Sequence, residues 1–298
     1  MKVLAVVVTH NRANLLSRCL KHINEQVLIP DSVLVVNNGS NDNTSDVIKN
    51  HNAKELLQEN LGSAGGWYSG IDYCIKNNFD ACWLMDDDGY PDRLALKTLV
   101  QKLDKSHACI SSCVLKENSN DEFVFPLPKL NSNHFPLLFS FKRKYFRLSE
   151  IEKHGLSEYN FAHLFNGALI SSKAILSIGN INRDYFIMGD EVDYFFRLKS
   201  AGSVKTIFDA KHFHPDVSQR EYSEIKIYYL LKNTIINHNK YFDAKFLRNV
   251  ILFLAISIRV SLRNGISFFL KLLFSSSLII PKAIYRGYKN RLGIDLRI

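Results

Sequence analysis

At 298 residues, with 46% hydrophobic and 22% charged content, the chain has an ordinary globular composition, long enough for one large domain or a domain with an appendage. Its net charge of +9 lies wholly between Lys245 and Ile298, where ten basic residues face one acid, Asp295, while the first 244 residues are formally neutral. A neutral main body argues against a nucleic-acid binder, and five cysteines without a Cys-x-x-Cys pair give no sign of a disulfide framework or zinc knuckle and point to a reducing compartment.

The amino terminus, MKVLAVVVTHNR, passes from a short apolar run into polar residues without a small-residue cleavage site, so no signal peptide is read there. Val3 to Thr9 is a nearly continuous valine-rich run, as expected of a buried parallel strand. From Arg12 to Gln26 the residues Leu15, Leu16, Cys19, Leu20 and Ile23 fall at helical spacing. A second strand, Ser32 to Asn37, a GSNDNT turn and a helix from about Ser45 come next. After them the pattern predicts a third strand near Glu55 to Gln58, a helix from about Ala64 to Lys76, and a fourth strand, Ala81 to Met85.

Strand and helix in regular succession predict an α/β fold with an open parallel sheet covered on both faces. In such sheets ligands sit beyond the carboxyl ends of the strands. Thr9 to Arg12, Asn37 to Asn43, Asn60 to Gly66 and Asp86 to Asp88 each follow a strand, so all four polar groups fall on one edge and converge as a pocket.

Three adjacent carboxylates in WLMDDDG repel one another, and solvent, shifted pKa values or a cation must relieve them. In extended geometry Asp86 and Asp88 point the same way and can share a cation, whereas Asp87 points elsewhere. Further on, Asp190, Glu191 and Asp193 of GDEVDYFFRL open an amphipathic helix, where the helix dipole favours them. Between Glu117 and Tyr159, including FSFKRKYFR, no regular element is legible.

The tail from Ile251 to Pro281 alternates blocks of Leu, Ile and Phe with single cations at Arg259, Arg263 and Lys271. No uncharged window reaches the roughly 18 to 20 apolar residues that span a bilayer. Apolar faces flanked by Arg and Lys suit helices that lie in a membrane interface. Packing on the main domain or on a second copy of the chain is the other use for them.

Taken in order, VVVTHNR, VLVVNNGSNDNT, NLGSAGGW, WLMDDDG and GDEVDYFFRLKSAG resemble the family 2 glycosyltransferases of the GT-A fold, and NLGSAGGW with DDD resembles the branch of galactofuranosyl- and rhamnosyl-transferases. The likeness covers about residues 1 to 235, a GT-A domain with a mostly parallel, Rossmann-like sheet. It leaves 236 to 298 as a helical segment for membrane association or oligomerisation. It implies an inverting, metal-dependent transfer of a sugar, galactofuranose first and rhamnose next, from a UDP-galactofuranose or dTDP-rhamnose type of donor. The implied acceptor is a hydroxyl of a lipid-linked bacterial surface glycan, met at the cytoplasmic face of the cell membrane.

The resemblance also assigns roles. Mn²⁺ or Mg²⁺ would sit on Asp86 and Asp88, with a histidine of KHFHP returning to it, His214 fitting best by spacing and His212 being the alternative. The family's catalytic base, usually aspartate, falls on Glu191, with Asp190 as the fallback. Thr9, Asn11, Arg12 and Asn37 would meet nucleobase and diphosphate, Asn37 standing where many relatives carry a uracil-reading aspartate. Gly62, Ser63, Gly65 and Gly66 allow close backbone approach to the donor, and Trp67 and Asp87, with Asp86, complete the donor side. YYLLKN, Tyr228 to Asn233, resembles a helix motif of the same branch and receives no catalytic role.

Two other classes fit the sequence less well. A nucleotidyltransferase would need a basic, glycine-rich triphosphate loop after the first strand, which THNRANL lacks. A non-catalytic glycan- or membrane-binding protein with the same fold would have no use for Glu191, Asp86, Asp88 and a suitably spaced histidine.

Overall fold

The computed structural model describes residues 1–138, 140–274 and 278–296; Phe139, Ser275, Ser276, Ser277, Arg297 and Ile298, parts of the FSFKRKYFR stretch and of the tail, lie outside the described residues. The chain forms two compact units. The first holds Met1–Leu61, Gly66–Ile181 and Arg197–Asp216; the second holds Gly62–Gly65, Asn182–Phe196 and Val217–Ile298.

In the first unit the valine-rich strand β1 (Val3–Thr9) is buried along its whole length and pairs in parallel with β2 (Ser32–Asn37) and β4 (Ala81–Asp86). β3 (Lys54–Leu57) extends the sheet in parallel beyond β2. Thr9 is level with Asn37, Asn37 with Leu57, and Val8 with Asp86, so the polar groups after these strands do leave the sheet on one edge. The helices between them are α1 (Ala13–Asn24), α2 (Thr44–Asn50) and α3 (Gly62–Lys76).

Alternation along β1 decides which helix covers which face. Val3, Ala5 and Val7 cluster with Leu16, Cys19, Leu20 and Ile23 of α1 and with Leu96 and Leu99 of α4 (Ala95–Lys102). Val6 and Val8 face α3 so closely that a Cβ at Gly70 or Gly66 would lie 2.4 or 2.5 Å from them. Those two glycines therefore let the helix lie flat on the sheet.

The parallel order stops at β4. β10 (Asn166–Ser171) runs antiparallel between β4 and β6 (His107–Lys116), and β11 (Ser203–His214) lies parallel to β6. Short β5 (Tyr90–Pro91) and β9 (Glu158–Tyr159) pair with β11. The region that sequence pattern left unread supplies β7 (Glu122–Pro128), β8 (Lys144–Arg147) and the turn of helix α5 (Ser149–Glu152), packed over Cys113, Leu115 and Phe208. α6 (Ser172–Ile178) follows β10. All five cysteines are free and buried.

The second unit is helical: α7 (Asp190–Ala201) begins in it, and α8 (Glu224–Tyr241), α9 (Lys245–Asn264), α10 (Ile266–Phe274) and α11 (Ile279–Tyr288) belong to it. Its core gathers Phe186, Tyr228, Tyr229, Ile235, Ile256, Val260, Leu272 and Ala283. YYLLKN lies on α8 and holds the chain's end. Lys232, completely buried, donates to Asp295 Oδ2 at 2.6 Å and to the Gly293 carbonyl at 3.0 Å, while the Tyr229 hydroxyl accepts from the amides of Asp295 and Leu296. Among the described residues no single helix is long and apolar enough to cross a membrane; α10 and α11, bent by 59°, pass that test only as a pair.

Candidate active site

Beyond β1 and β4 the acidic triplet is set by where the strand ends. β4 closes at Asp86, so alternation stops there and Asp87 and Asp88 turn inward together, both nearly fully buried. Asp87, expected to point away from the other two carboxylates, instead converges with Asp88 on Arg12. Arg12 donates through Nη1 to Asp87 Oδ1 at 3.0 Å and to Asp88 Oδ2 at 3.2 Å, and Thr9 Oγ1 donates to Asp87 Oδ2 at 2.7 Å. Burial works against the Arg12 charge, but Asp87 and Asp88 outweigh it and hold the guanidinium pKa above its ordinary value. Burial likewise raises the Asp87 pKa, against the pull of Arg12 and Thr9.

On β11 a bulge between Ile207 and Lys211 shifts the register just before the two histidines. His214 Nε2 lies 2.9 Å from Asp88 Oδ1, and His214 Nδ1 faces the Pro215 carbonyl at 2.8 Å. A carbonyl only accepts, so Nδ1 carries the proton and Nε2 turns its other side to a carboxylate oxygen. Two such atoms at that distance need a proton or a cation between them. His212 is fully buried, its two ring nitrogens lack a hydrogen-bond partner, and burial lowers its pKa to about 3. Of the two histidines, His214 is thus the one placed on the triplet. Among the described residues no group of three His, Cys, Asp or Glu side chains stands close enough to hold a metal by itself. Asp88 with His214 fits a divalent cation that takes its remaining oxygens from phosphate and water.

The loops after β1 and β2 are laced together. Asn11, at φ 53°, donates its amide N–H to Ser40 Oγ at 2.9 Å, and its own Oδ1 accepts from the Asn41 N–H at 2.7 Å. Asn37 is buried: its side-chain amide donates to Glu55 Oε1 at 2.7 Å and its Oδ1 accepts from the Ser40 N–H at 2.9 Å. Both asparagines thus shape the loop. Trp67 is a correction. It is completely buried and stacked on Phe165 at 4.5 Å, so its ring packs beneath the edge and does not line a donor site. Gly66 beside it serves helix packing, as its contact with Val8 shows.

Pattern reading missed Arg18, whose Nη2 donates to the Asp88 carbonyl at 2.6 Å, whose Nη1 pairs with Glu117 at 2.6 Å, and whose guanidinium lies over Tyr90. It also missed Glu55 at the Asn37 amide. Neither carries a local signal, because each acts on a residue from another strand.

In the second unit Gly62, Ser63 and Gly65 form the first turn of α3, which begins two residues earlier than the pattern placed it. The acids of α7 stand in contrasting settings. Asp193 accepts through Oδ1 from Lys240 at 2.8 Å and Tyr241 at 2.7 Å. Asp190 is buried and receives backbone N–H groups from itself and Glu191, but its Oδ2 has no partner. Burial first, then the nearby charges of Glu191 and Asp193, raise its pKa to about 7. Glu191 is half-buried.

Residues 4–163 match the profile described as glycosyl transferase family 2. The chain is 33% identical over 223 residues to galactofuranosyltransferase GlfT1 of Mycobacterium tuberculosis, a match covering 72% of this chain and 70% of the relative; against the Mycolicibacterium smegmatis protein of the same name it is 30% over 219 residues. Among solved structures it resembles the mannosyltransferase PcManGT from Pyrobaculum calidifontis in complex with GDP-Man and Mn²⁺ (TM-score 0.55, 16% identity, 97% of this chain and 81% of that one). It also resembles S. aureus TarS residues 1–349 (TM-score 0.54, 12% identity, 93% and 73%). Those two likenesses show the fold, and the GT-A architecture with a helical carboxy-terminal extension is the one expected. The chain belongs to glycosyl transferase family 2, near its galactofuranosyltransferases, and is a glycosyltransferase.

Proposed function

We propose that this enzyme moves a galactofuranosyl residue, with rhamnosyl as the second choice, from a nucleotide diphosphate to a hydroxyl of a lipid-linked bacterial surface glycan, with inversion. The observation that carries the donor choice is the 33% identity to galactofuranosyltransferases over 72% of the chain. Asp86, Asp88 and His214 would hold Mn²⁺ or Mg²⁺, which supplies Lewis-acid stabilisation of the leaving diphosphate when bound. Arg12 pairs with Asp87 and Asp88 and holds them in place beside it. Thr9 and Asn11, and the glycine segment of Gly62, Ser63 and Gly65, are assigned to the donor side, Thr9 acting through its bond to Asp87 and Asn11 by shaping its loop. The base that takes the acceptor proton comes from the Asp190–Glu191 pair. Glu191 stands where relatives carry it, and Asp190 is the second candidate, with a pKa suited to proton transfer near neutrality.

Residues 236–298 are assigned to attachment at the cytoplasmic face of the cell membrane. What supports this is α9, whose exposed face carries Leu247, Val250, Leu254, Ile258 and Leu262 in succession, with α10 adding Ile266, Leu270 and Phe274. Lys245, Arg259 and Lys271 are exposed beside them. That suits an anionic surface better than a second copy of an equally basic tail.

The donor is tested by thermal unfolding with Mn²⁺ and a panel of nucleotide sugars, since a ligand of the native state raises the transition temperature. UDP-galactofuranose, or failing it dTDP-rhamnose, is expected to give the largest rise. A panel in which no nucleotide sugar moves the transition would contradict the reading.

A further inference from the structure

The turn before α7 gathers several residues in unusual backbone conformations. Phe186 has φ 63° and ψ −70°, and the Ile187 N–H donates to the Tyr185 carbonyl at 2.8 Å across it. That is a γ-turn of the rare, disfavoured hand. Two residues on, Met188 has φ 62°, and Gly189 follows at φ 86°. Non-glycine residues persist in such conformations only where their surroundings over-determine them, and such strain gathers at functional sites.

Here the surroundings are two asparagines of α8, four residues apart and so on one helical face. The Asn233 amide donates to the carbonyls of Tyr185, Ile187 and Met188 at 3.0, 3.0 and 2.7 Å, and the Asn237 amide donates to the Gly189 carbonyl at 2.8 Å. The Tyr185 hydroxyl returns a bond to Asn237 Oδ1 at 2.6 Å. Both asparagines are buried. The remaining carbonyl of the turn, that of Phe186, accepts the Ala64 N–H at 3.0 Å in the first turn of α3. Gly62, at φ 73°, sits against the same carbonyl, where a Cβ would come within 2.2 Å. All five carbonyls of the turn are therefore held. One end of the arrangement is the glycine segment, and the other is Asp190, the residue after Gly189.

We propose that Asn233 and Asn237 are positioning residues which, through the Tyr185–Gly189 turn, set the glycine segment and the first carboxylate of α7 in one fixed relation. The inference rests on the glycosyl-transfer reading for its kinetic consequence, but the coupling itself is a property of the fold. It gives the Asn of YYLLKN a task distinct from that of Tyr228, Tyr229 and Lys232, which hold the chain's end. Asparagine is required because it is a neutral donor of this reach: aspartate would turn an oxygen toward three carbonyls.

The experiment uses the full chain with Asn233→Asp, Asn237→Ala and Tyr185→Phe, and with Tyr228→Phe as a control on the same helix that removes only a hydroxyl bonded to Asp295 of the tail. Amide hydrogen exchange is read at residues 61–66 and 186–193, beside kcat and donor KM. For Asn233→Asp and Asn237→Ala, exchange should quicken in both segments together by about tenfold or more. Their kcat should fall and their donor KM rise, by a combined factor of roughly 10 to 100 in kcat/KM. Tyr185→Phe should give a smaller change of the same kind, and Tyr228→Phe should leave both segments and both constants as in the wild type. If Asn233→Asp does not fold, Asn237→Ala and Tyr185→Phe decide by the same readings. Quicker exchange confined to 186–193, or folded variants with wild-type kcat and KM, would overturn the proposal. A wild type that transfers no sugar would instead overturn the functional reading and leave the exchange result to judge the coupling.

Discussion

Two acidic clusters, Asp86 to Asp88 behind β4 and Asp190 to Asp193 at the start of α7, are treated in opposite ways by the residues around them. In the first, Arg12, Thr9 and His214 converge on Asp87 and Asp88, so that charge is matched by charge although burial still lifts the Asp87 pKa. In the second, Lys240 and Tyr241 satisfy Asp193, while Asp190 keeps an oxygen without a partner and a pKa raised to about 7. In one cluster the carboxylates are met by a guanidinium, a hydroxyl and an imidazole, as residues beside a bound cation would be; in the other, Asp190 has a pKa raised to about 7, as a base near neutrality would need. The residue type is the same, and the environment divides the labour.

The largest expected effect breaks the second half of that comparison. Glu191→Gln or Asp190→Asn, whichever removes the base, should lower kcat by about 10²- to 10⁴-fold while the protein stays folded. If both variants turn over normally, the proton does not go to this cluster. A pH–rate profile sharpens the choice. If Asp190 is the base, activity should rise with pH through a midpoint near 7 and that limb should vanish in Asp190→Asn; a rate flat across that range would take the role from Asp190.

Next in size is the first cluster. Asp88→Asn and His214→Ala should each cost on the order of 10²-fold in kcat/KM and weaken the response to added Mn²⁺. Substitution of His212, buried behind them without a partner, should act on stability and not on the metal response. An unchanged Mn²⁺ titration in Asp88→Asn would remove the metal from this edge.

A third prediction concerns stability. Because the folded pKa of Asp190 lies above its unfolded value, the folded state holds the proton more tightly. Its contribution is then fully present below about pH 4 and is lost as pH climbs toward 7. Asp190→Asn should therefore stabilise the protein above pH 7, by up to about 4 kcal/mol for a shift of this size, and change little at acid pH. Thermal unfolding at pH 5 and pH 8 checks it, and a variant less stable than the wild type at pH 8 would mean that the buried carboxylate is held by partners. The smallest effect is in the tail: Leu254→Glu or Ile258→Glu should weaken binding to anionic vesicles by roughly tenfold and leave turnover on a soluble acceptor unchanged. Equal binding to zwitterionic and anionic vesicles would count against the role of the flanking cations.

What pattern could reach follows from whether the cause is local. The run Val3 to Thr9 declares a buried strand by itself, and with β2 and β4 beside it in register the polar edge follows. The antiparallel placement of β10 between β4 and β6 depends on pairing across the chain, so the expected parallel order ends at β4. The same division holds in the site. That WLMDDDG marks the end of a strand is local, but the inward turn of Asp87 and Asp88 is fixed by Arg12, 75 and 76 residues away. The resemblance puts Trp67 on the donor side, but the flat packing that Gly66 and Gly70 permit leaves it completely buried. The turn held by Asn233 and Asn237 has no signature in sequence, since positive φ at Phe186 and Met188 is imposed from another helix.

The most direct test of the account is product formation by the purified full-length enzyme, followed by mass spectrometry and by NMR of the new glycosidic linkage. UDP-galactofuranose, a glycolipid acceptor and Mn²⁺ should yield a galactofuranosylated product of inverted anomeric configuration, and a chelator should abolish it. Undiminished transfer in the presence of chelator, retention of configuration, or no transfer from any nucleotide sugar would contradict it.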